Sequence, residues 1–193
     1  MCGFAGYAGE REYDTSVIRK MTDKIRHRGP DSQDAFVEGK VGLGFVRLSI
    51  IDLEGGSQPM FNEDKNLVLI FNGELYNFQD IRKELVEAGH VFTTHTDSEI
   101  LLHGYEEWGK EGLLGRLRGM FAFVIFDRTK KTLFGARDHF CIADFINQLV
   151  EFFREEAADC RLTFTSRTPG ADTIDIRSSD SFNHLRKQFR WIL

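Results

Sequence analysis

Met1-Cys2-Gly3-Phe4-Ala5-Gly6-Tyr7-Ala8 opens the chain. Residues 2–8 read as a buried strand, and the first side chain after the initiator is a thiol. Methionine is usually trimmed when the next residue is as small as cysteine. Trimming would place a nucleophile and a base, the α-amine, on one residue. The ordinary pKa of such an amine is about 7.7–8.0, so a useful neutral fraction exists near pH 7. Terminal amines are an attested means of activating a nucleophile, and cysteine is the least reluctant one. Taken alone, a cysteine at position 2 reads first as an accident of a frayed terminus.

Outward from this strand, the chain alternates groups of strands with helices. Residues 16–27 carry apolar residues at Val17, Ile18, Met21 and Ile25, a helical period, with Asp14, Thr15 or Ser16 available as cap. Residues 34–38 and 42–51 read as strands. Leu67–Phe71 is a short apolar run ending at Asn72-Gly73, itself a common hairpin signal. Helices follow from about Phe78 to Ala88, with Asn77 as N-cap and Gly89 as stop, and from about Ser98 to Trp108, with Asp97 as N-cap. Met120–Phe126 and Thr132–Ala136 form a final strand pair. The grouping predicts an α+β class.

Composition narrows the function. The 193 residues suit one domain with an appendage, and 41% apolar residues with 18 Phe can fill a core. A net charge of −5 without a basic cluster disfavours nucleic acid as a partner. No run approaches the roughly 20 apolar residues of a membrane span, and the N-terminus is not a secretory signal. Cysteines at 2, 141 and 160 fit neither a disulfide framework nor zinc-ligand spacing, so a reducing, cytoplasmic setting is expected. His95 and His103 flank a helix start without a ligand partner at usable spacing, so no metal is expected.

Several motifs follow in order: Met1-Cys-Gly; Arg26-His-Arg-Gly-Pro-Asp-Ser32; Arg47-Leu-Ser-Ile-Ile-Asp52; Phe71-Asn-Gly-Glu-Leu-Tyr-Asn77; Thr96-Asp-Ser-Glu99; Gly119-Met-Phe-Ala-Phe123; and Ala136-Arg-Asp-His-Phe140. Together, over residues 1–140, they resemble the N-terminal glutaminase domain of asparagine synthetases, a class II glutamine amidotransferase with an N-terminal nucleophile. The resemblance implies a four-layer αββα sandwich of the Ntn-hydrolase type, with two antiparallel sheets. It also implies hydrolysis of L-glutamine to glutamate and ammonia through a Cys2 thioester, without a cofactor. In the complete family the ammonia serves ATP-dependent conversion of aspartate to asparagine, and ATP and Mg belong to that second half.

The chemistry needs a nucleophile, a proton shuttle and donors where negative charge develops. Asn72 offers a side-chain amide and Gly73 an unobstructed N–H; by spacing they are also a plain turn. The resemblance assigns them to the oxyanion. It assigns the glutamine head group to Arg47 for the carboxylate, Asp97 for the ammonium, and the backbones of Leu48, Ile50, Ile51 and Glu74. A guanidinium suits a planar anion because it donates two parallel bonds. From sequence alone Arg47 is equally a surface salt bridge, and Asp97 a helix cap. Arg26–Ser32 is either a mobile cover or a rigid connector. Arg137-Asp138-His139 reads as a strand end rather than a metal cluster.

The likeness stops after Phe140. Residues 141–193 hold a single glycine and a single lysine, lack a Gly-rich phosphate loop, and show helical spacing at 145–157 and 182–192 around a polar loop. The domain is therefore expected to be incomplete at its C-terminal end, with an exposed sheet edge. The tail is either a frameshifted or truncated product or a replacement segment. Two other readings stay open: a non-catalytic remnant, and a glutaminase subunit that feeds a separate acceptor. The partners implied are L-glutamine and either a synthetase-type protein or a second copy of the chain.

Overall fold

The computed structural model describes residues 2–9, 11–48 and 56–138, and the backbone of 161–164 and 174–176. The strands are β1 (Gly3–Ala8), β2 (Ser32–Glu38), β3 (Val41–Arg47), β4 (Met60–Phe61), β5 (Leu67–Leu75), β6 (Gly119–Asp127), β7 (Thr132–Arg137), β8 (Arg161–Phe164) and β9 (Ile174–Ile176). The helices are α1 (Thr15–Lys24), α2 (Phe78–Glu87) and α3 (Glu99–Arg116). Among the described residues they build a sheet in the order β1-β3-β2 and a second in the order β4-β5-β6-β7-β8-β9.

Strand alternation decides the layers. Phe4 and Ala8 of β1 and Val41, Leu43 and Phe45 of β3 point to one side. They meet Val68 and Ile70 of β5, Ala122, Val124 and Phe126 of β6, and Leu133 of β7 in one buried cluster. This apolar layer glues the two sheets face to face. The opposite residues of the second sheet, Leu69, Phe71, Phe123, Ile125 and Phe134, join Ile81, Leu85, Ile100, Leu101 and Leu102 of α2 and α3 in another cluster. On the far side of the first sheet, α1 lies so close to β3 that a Cβ on Gly44 would come within 2.5 Å of Thr22 Cγ2 and 2.9 Å of Ile18 Cγ1. The order helix, sheet, sheet, helix is the expected four-layer sandwich.

The helix ends follow local chemistry. Asp14 caps α1, its Oδ1 accepting from the Ser16 N–H at 2.6 Å. Asn77 occupies the N-cap of α2 but makes no side-chain cap bond. Its amide instead donates to Arg116 O and accepts from Arg118 N–H, both at 2.9 Å, which ties α2 to the end of α3. Gly89 ends α2 as expected, with His90 N–H reaching back to Leu85 O. The third helix runs past its expected end: Gly109 (φ 66°) kinks it, and it continues to Arg116.

Three expectations are corrected. Ser98, not Asp97, is the N-cap of α3. The strand expected over 42–51 ends at Arg47, and its last residues lie outside the described ones. The stretch expected as a polar loop in the tail contains β8 and β9, so the edge beyond β7 is covered. Thr132–Gly135 pairs in parallel with Arg161–Phe164, while the other described strand pairs are antiparallel. A parallel neighbour requires a crossover of a dozen or more residues, and the chain between β7 and β8 is long enough to supply one. The helical stretches at 145–157 and 182–192 lie outside the described residues.

The loop before α3 is clamped by one carboxylate. Glu99 is 5% exposed. It accepts from the Thr93 N–H and hydroxyl at 2.7 and 2.9 Å, and from the Thr94 N–H and hydroxyl at 2.7 and 2.6 Å. Burial alone would raise its pKa, but His103 and these bonds outweigh burial and bring it down to about 2. A depressed carboxylate stabilises the fold fully above its unfolded value of 4.5, and that stability is lost as pH falls towards 2.

Two substitutions test this packing. Gly44→Ala is expected to cost about 1–3 kcal/mol in denaturant unfolding, because α1 must shift. Glu99→Gln is expected to lower stability by about 2 kcal/mol at neutral pH. The gap to the parent should narrow in acid melts between pH 4.5 and 2. A gap that stays constant over that range would contradict the clamp.

Candidate active site

The nucleophile candidate sits at the rim of the layer between the sheets. Cys2 immediately precedes β1 and has the parity of Phe4, and its side chain packs against the cluster that contains Ile70 and Ala122. The β1–β3 register pairs Gly3 with Val46, which brings Cys2 alongside the end of β3. There Leu48 holds the sulfur with its backbone. The Leu48 N–H donates to Cys2 Sγ at 3.3 Å, and the thiol donates to Leu48 O at 3.5 Å. An N–H aimed at the sulfur is a ready partner for a thiolate.

Arg47 continues the inward row Val41, Leu43 and Phe45, and is 7% exposed. The surface salt-bridge reading is thereby overturned. Its guanidinium faces Gly56: a Cβ there would lie 2.7 Å from Arg47 Nη2 and 3.5 Å from Thr96 Cγ2. Arg47 and the segment leading to Asp97 therefore border the same glycine. Sequence reasoning missed Gly56, which lies in no motif.

Asn72 and Gly73 are not a turn. They continue β5, paired with Ala122 and Phe121 of β6. Asn72 has the parity of Val68 and Ile70, so it points into the layer against which Cys2 packs. Its amide has no hydrogen-bond partner among the described residues. Gly73 is exposed with φ 153°, and a Cβ would collide with Met120 O and the Phe121 backbone. Only glycine lets the two strands come this close. Asp138 locks the same point: its carboxylate accepts from the Phe121 N–H at 2.7 Å, and its own N–H donates to Phe121 O at 2.9 Å. This agrees with the strand-end reading of Arg137-Asp138-His139, of which His139 lies outside the described residues.

Just beyond, the half-buried Asp97 carboxylate accepts from the Leu75 N–H at 2.9 Å. Burial raises its pKa and the neighbouring Glu74 adds to the rise, against backbone bonds from Leu75 and Ser98 that lower it. Two carboxylates side by side at the end of β5 suit a positive group. Ile50 and Ile51 lie outside the described residues.

The Arg26–Ser32 segment is tied to the ends of β1 and β3. A 3₁₀ turn over Arg26–Arg28 leads to Pro30, which bridges to Arg47, and the Asp31 N–H donates to Arg47 O at 3.0 Å. Arg28 Nε donates to Cys2 O at 3.3 Å, so this motif orients the residue that carries the thiol. That contact was hidden in a motif whose role the sequence left open.

Two features lie away from this rim. A cavity of about 320 Å³ is lined by Asn62, Asp64, Asn66, Tyr105, Asp127 and Lys130, at the other end of β5 from Asn72. It holds no cysteine, and Asp127 there already holds Tyr105 and Lys130. The fold brings His90 and Glu106 beside His103, with one ligand atom of each within 4.8 Å of the others. His90 follows α2, far from His103 in sequence, so spacing did not reveal it. Burial lowers the pKa of His103, but Glu106, Glu99 and Glu63 outweigh it and push it up to about 9.

Comparison with known proteins places this arrangement. A family model described as glutamine amidotransferase domain matches residues 1–168. Asparagine synthetase [glutamine-hydrolyzing] 1 of Bacillus subtilis (strain 168) is 45% identical over 147 residues, covering 74% of this chain and 23% of that protein. Asparagine synthetase [glutamine-hydrolyzing] 2 of the same organism is 36% identical over 196 residues, covering 99% of this chain and 24% of that protein. The chain thus spans about a quarter of the length of these curated relatives. Among solved structures, the glutamine phosphoribosylpyrophosphate amidotransferase of B. subtilis superimposes with a TM-score of 0.53 at 22% identity, over 66% of this chain and 35% of that one, a likeness of fold. With residues 1–168 matched by that family model on an αββα sandwich, the chain belongs to the glutamine amidotransferase domain family.

Proposed function

We propose that the chain hydrolyses L-glutamine to glutamate and ammonia, as the glutaminase part of an asparagine synthetase-type enzyme. The observation that carries the reading is the placement of Cys2: its sulfur is held by the Leu48 backbone, beside the buried Arg47, facing the layer into which Asn72 points.

Removal of Met1 frees the Cys2 amine. Arg47 takes the α-carboxylate of glutamine and Asp97, with Glu74 beside it, takes the α-ammonium; Leu48, Ile50 and Ile51 supply backbone contacts. Cys2 Sγ attacks the side-chain carbonyl carbon, and the thiol proton passes to the α-amine. The carbonyl oxygen gains negative charge, which the Asn72 amide and the Gly73 N–H stabilise. Collapse breaks the C–N bond, and the amine returns its proton to the departing ammonia. Water then adds to the thioester, glutamate leaves, and the thiol is restored. Nothing in these steps needs a metal or cofactor. ATP and Mg would serve a synthetase part that accepts the ammonia to amidate aspartate, either as a separate protein or within a larger assembly, in the reducing cytoplasm. No described helix is long and apolar enough to cross a membrane.

Glutamate release by the purified chain tests the reading. Cys2→Ala is expected to abolish it, and Asn72→Ala to lower kcat about 10²–10³-fold. Arg47→Lys and Asp97→Asn are expected to raise KM about 10–100-fold with a smaller change in kcat. Because Asp97 must be ionised to hold the ammonium and its pKa is raised, KM should climb on acidification earlier than an ordinary aspartate would dictate. Equal release by the parent and Cys2→Ala would overturn the proposal. A parent that melts cooperatively yet releases no glutamate would identify a non-catalytic remnant.

A further inference from the structure

We propose that His90, His103 and Glu106, with Glu63 beside them, form a structural binding site for one divalent transition-metal ion, best matched by zinc. The inference is independent of the glutaminase reading.

His103 is the anchor. It is 2% exposed, and neither ring nitrogen has a hydrogen-bond partner. Only carboxylates at ion-pair distance face these two buried nitrogens: Nδ1 is 3.5 Å from Glu106 Oε2 and 3.6 Å from Glu63 Oε1. Donors bound to one tetrahedral zinc at about 2.0–2.2 Å are themselves separated by about 3.3–3.6 Å. The Nδ1 spacings fit ligands around a shared ion, and His90 offers a further ligand atom within 4.8 Å.

The surroundings are arranged as they are behind metal-binding imidazoles. Glu99 Oε1 faces His103 Nε2 at 3.6 Å, and Glu99 is itself fixed by Thr93 and Thr94. A carboxylate behind one nitrogen directs the lone pair of the other outward. Glu107 Oε2 stands 3.2 Å from His90 Nε2 in the same fashion. Asn62 Nδ2 donates to Glu106 Oε1 at 2.6 Å and leaves Oε2 on the His103 side. Two imidazoles with carboxylates suit zinc, cobalt or nickel, whereas calcium and magnesium take all-oxygen sets. An ion here would join the turn after β4, the end of α2 and the first turns of α3. It would stiffen the loop that carries Asp97, and its binding would displace protons from the ring.

The test uses the full chain, stripped with a chelator and titrated with zinc and with cobalt. Calorimetry should show one equivalent bound with a Kd of about 1 μM or tighter. Cobalt should give the visible bands of a tetrahedral nitrogen and oxygen site without a thiolate charge-transfer band, and zinc should raise the melting temperature. His103→Ala removes a buried ring and risks misfolding, so His90→Ala and Glu106→Gln carry the test. Both should melt cooperatively and bind about 100-fold more weakly or worse. Failure of the parent to take up an equivalent, or equal affinity in both variants, would overturn the site. So would a thiolate band lost in Cys2→Ala, which would place the ion at the terminus.

Discussion

The apolar layer between the two sheets is the constraint on which the rest depends. Val41, Leu43 and Phe45 from one sheet close on Val68, Ile70 and Val124 from the other, and all are buried. At about 25 cal/mol per Å² of apolar area removed from water, such a layer dominates the folding energy of a domain this size. It also fixes registers, because a one-residue slip in β3 or β5 would send its inward row to the opposite face. The residues that follow those rows inherit their direction. Arg47 comes two after Phe45, Asn72 two after Ile70, and Cys2 two before Phe4. Three polar groups thus take the inward face because the strands that carry them are held by their apolar neighbours.

Around that rim, backbone contacts do the positioning. Leu48 holds the sulfur, Arg28 holds the Cys2 carbonyl, and Asp138 locks the β6 backbone across from Gly73. Such contacts leave the Cys2 sulfur and the Asn72 side chain available for chemistry while limiting their motion. On the far side Glu99 performs the same office for the loop before α3. Its bonds to Thr93 and Thr94 are the reason Asp97 can lie against β5 instead of capping the helix.

Much of this was legible in the sequence, and the failures have physical causes. Helices α1 and α2 followed from periodicity, since each buries one face, and strands β1, β5, β6 and β7 from apolar runs, since they are buried on both faces. Asn72-Gly73 has the local chemistry of a hairpin and yet continues a strand, because pairing with Ala122 and Phe121 outweighs turn preference. Asp97 looks like a helix cap, but the Leu75 N–H offers its carboxylate a tertiary bond that a local reading cannot foresee. Beyond β7 the polar character of the tail hid β8, whose parallel pairing is non-local. His90 and His103 meet only because α2 packs on α3, and no spacing rule connects them. The glutamine-binding roles proposed for Cys2, Arg47, Asn72 and Asp97 came from the order of motifs alone.

The central claim is that the Cys2 sulfur, on a chain that has lost Met1, becomes acylated by the side chain of glutamine. Acid-quenched mass spectrometry during turnover tests it most directly. The account predicts an intact mass without the initiator methionine and a transient glutamyl adduct that peptide mapping assigns to Cys2. Retention of Met1 on a chain that turns over, or turnover with an adduct on another residue, would contradict it.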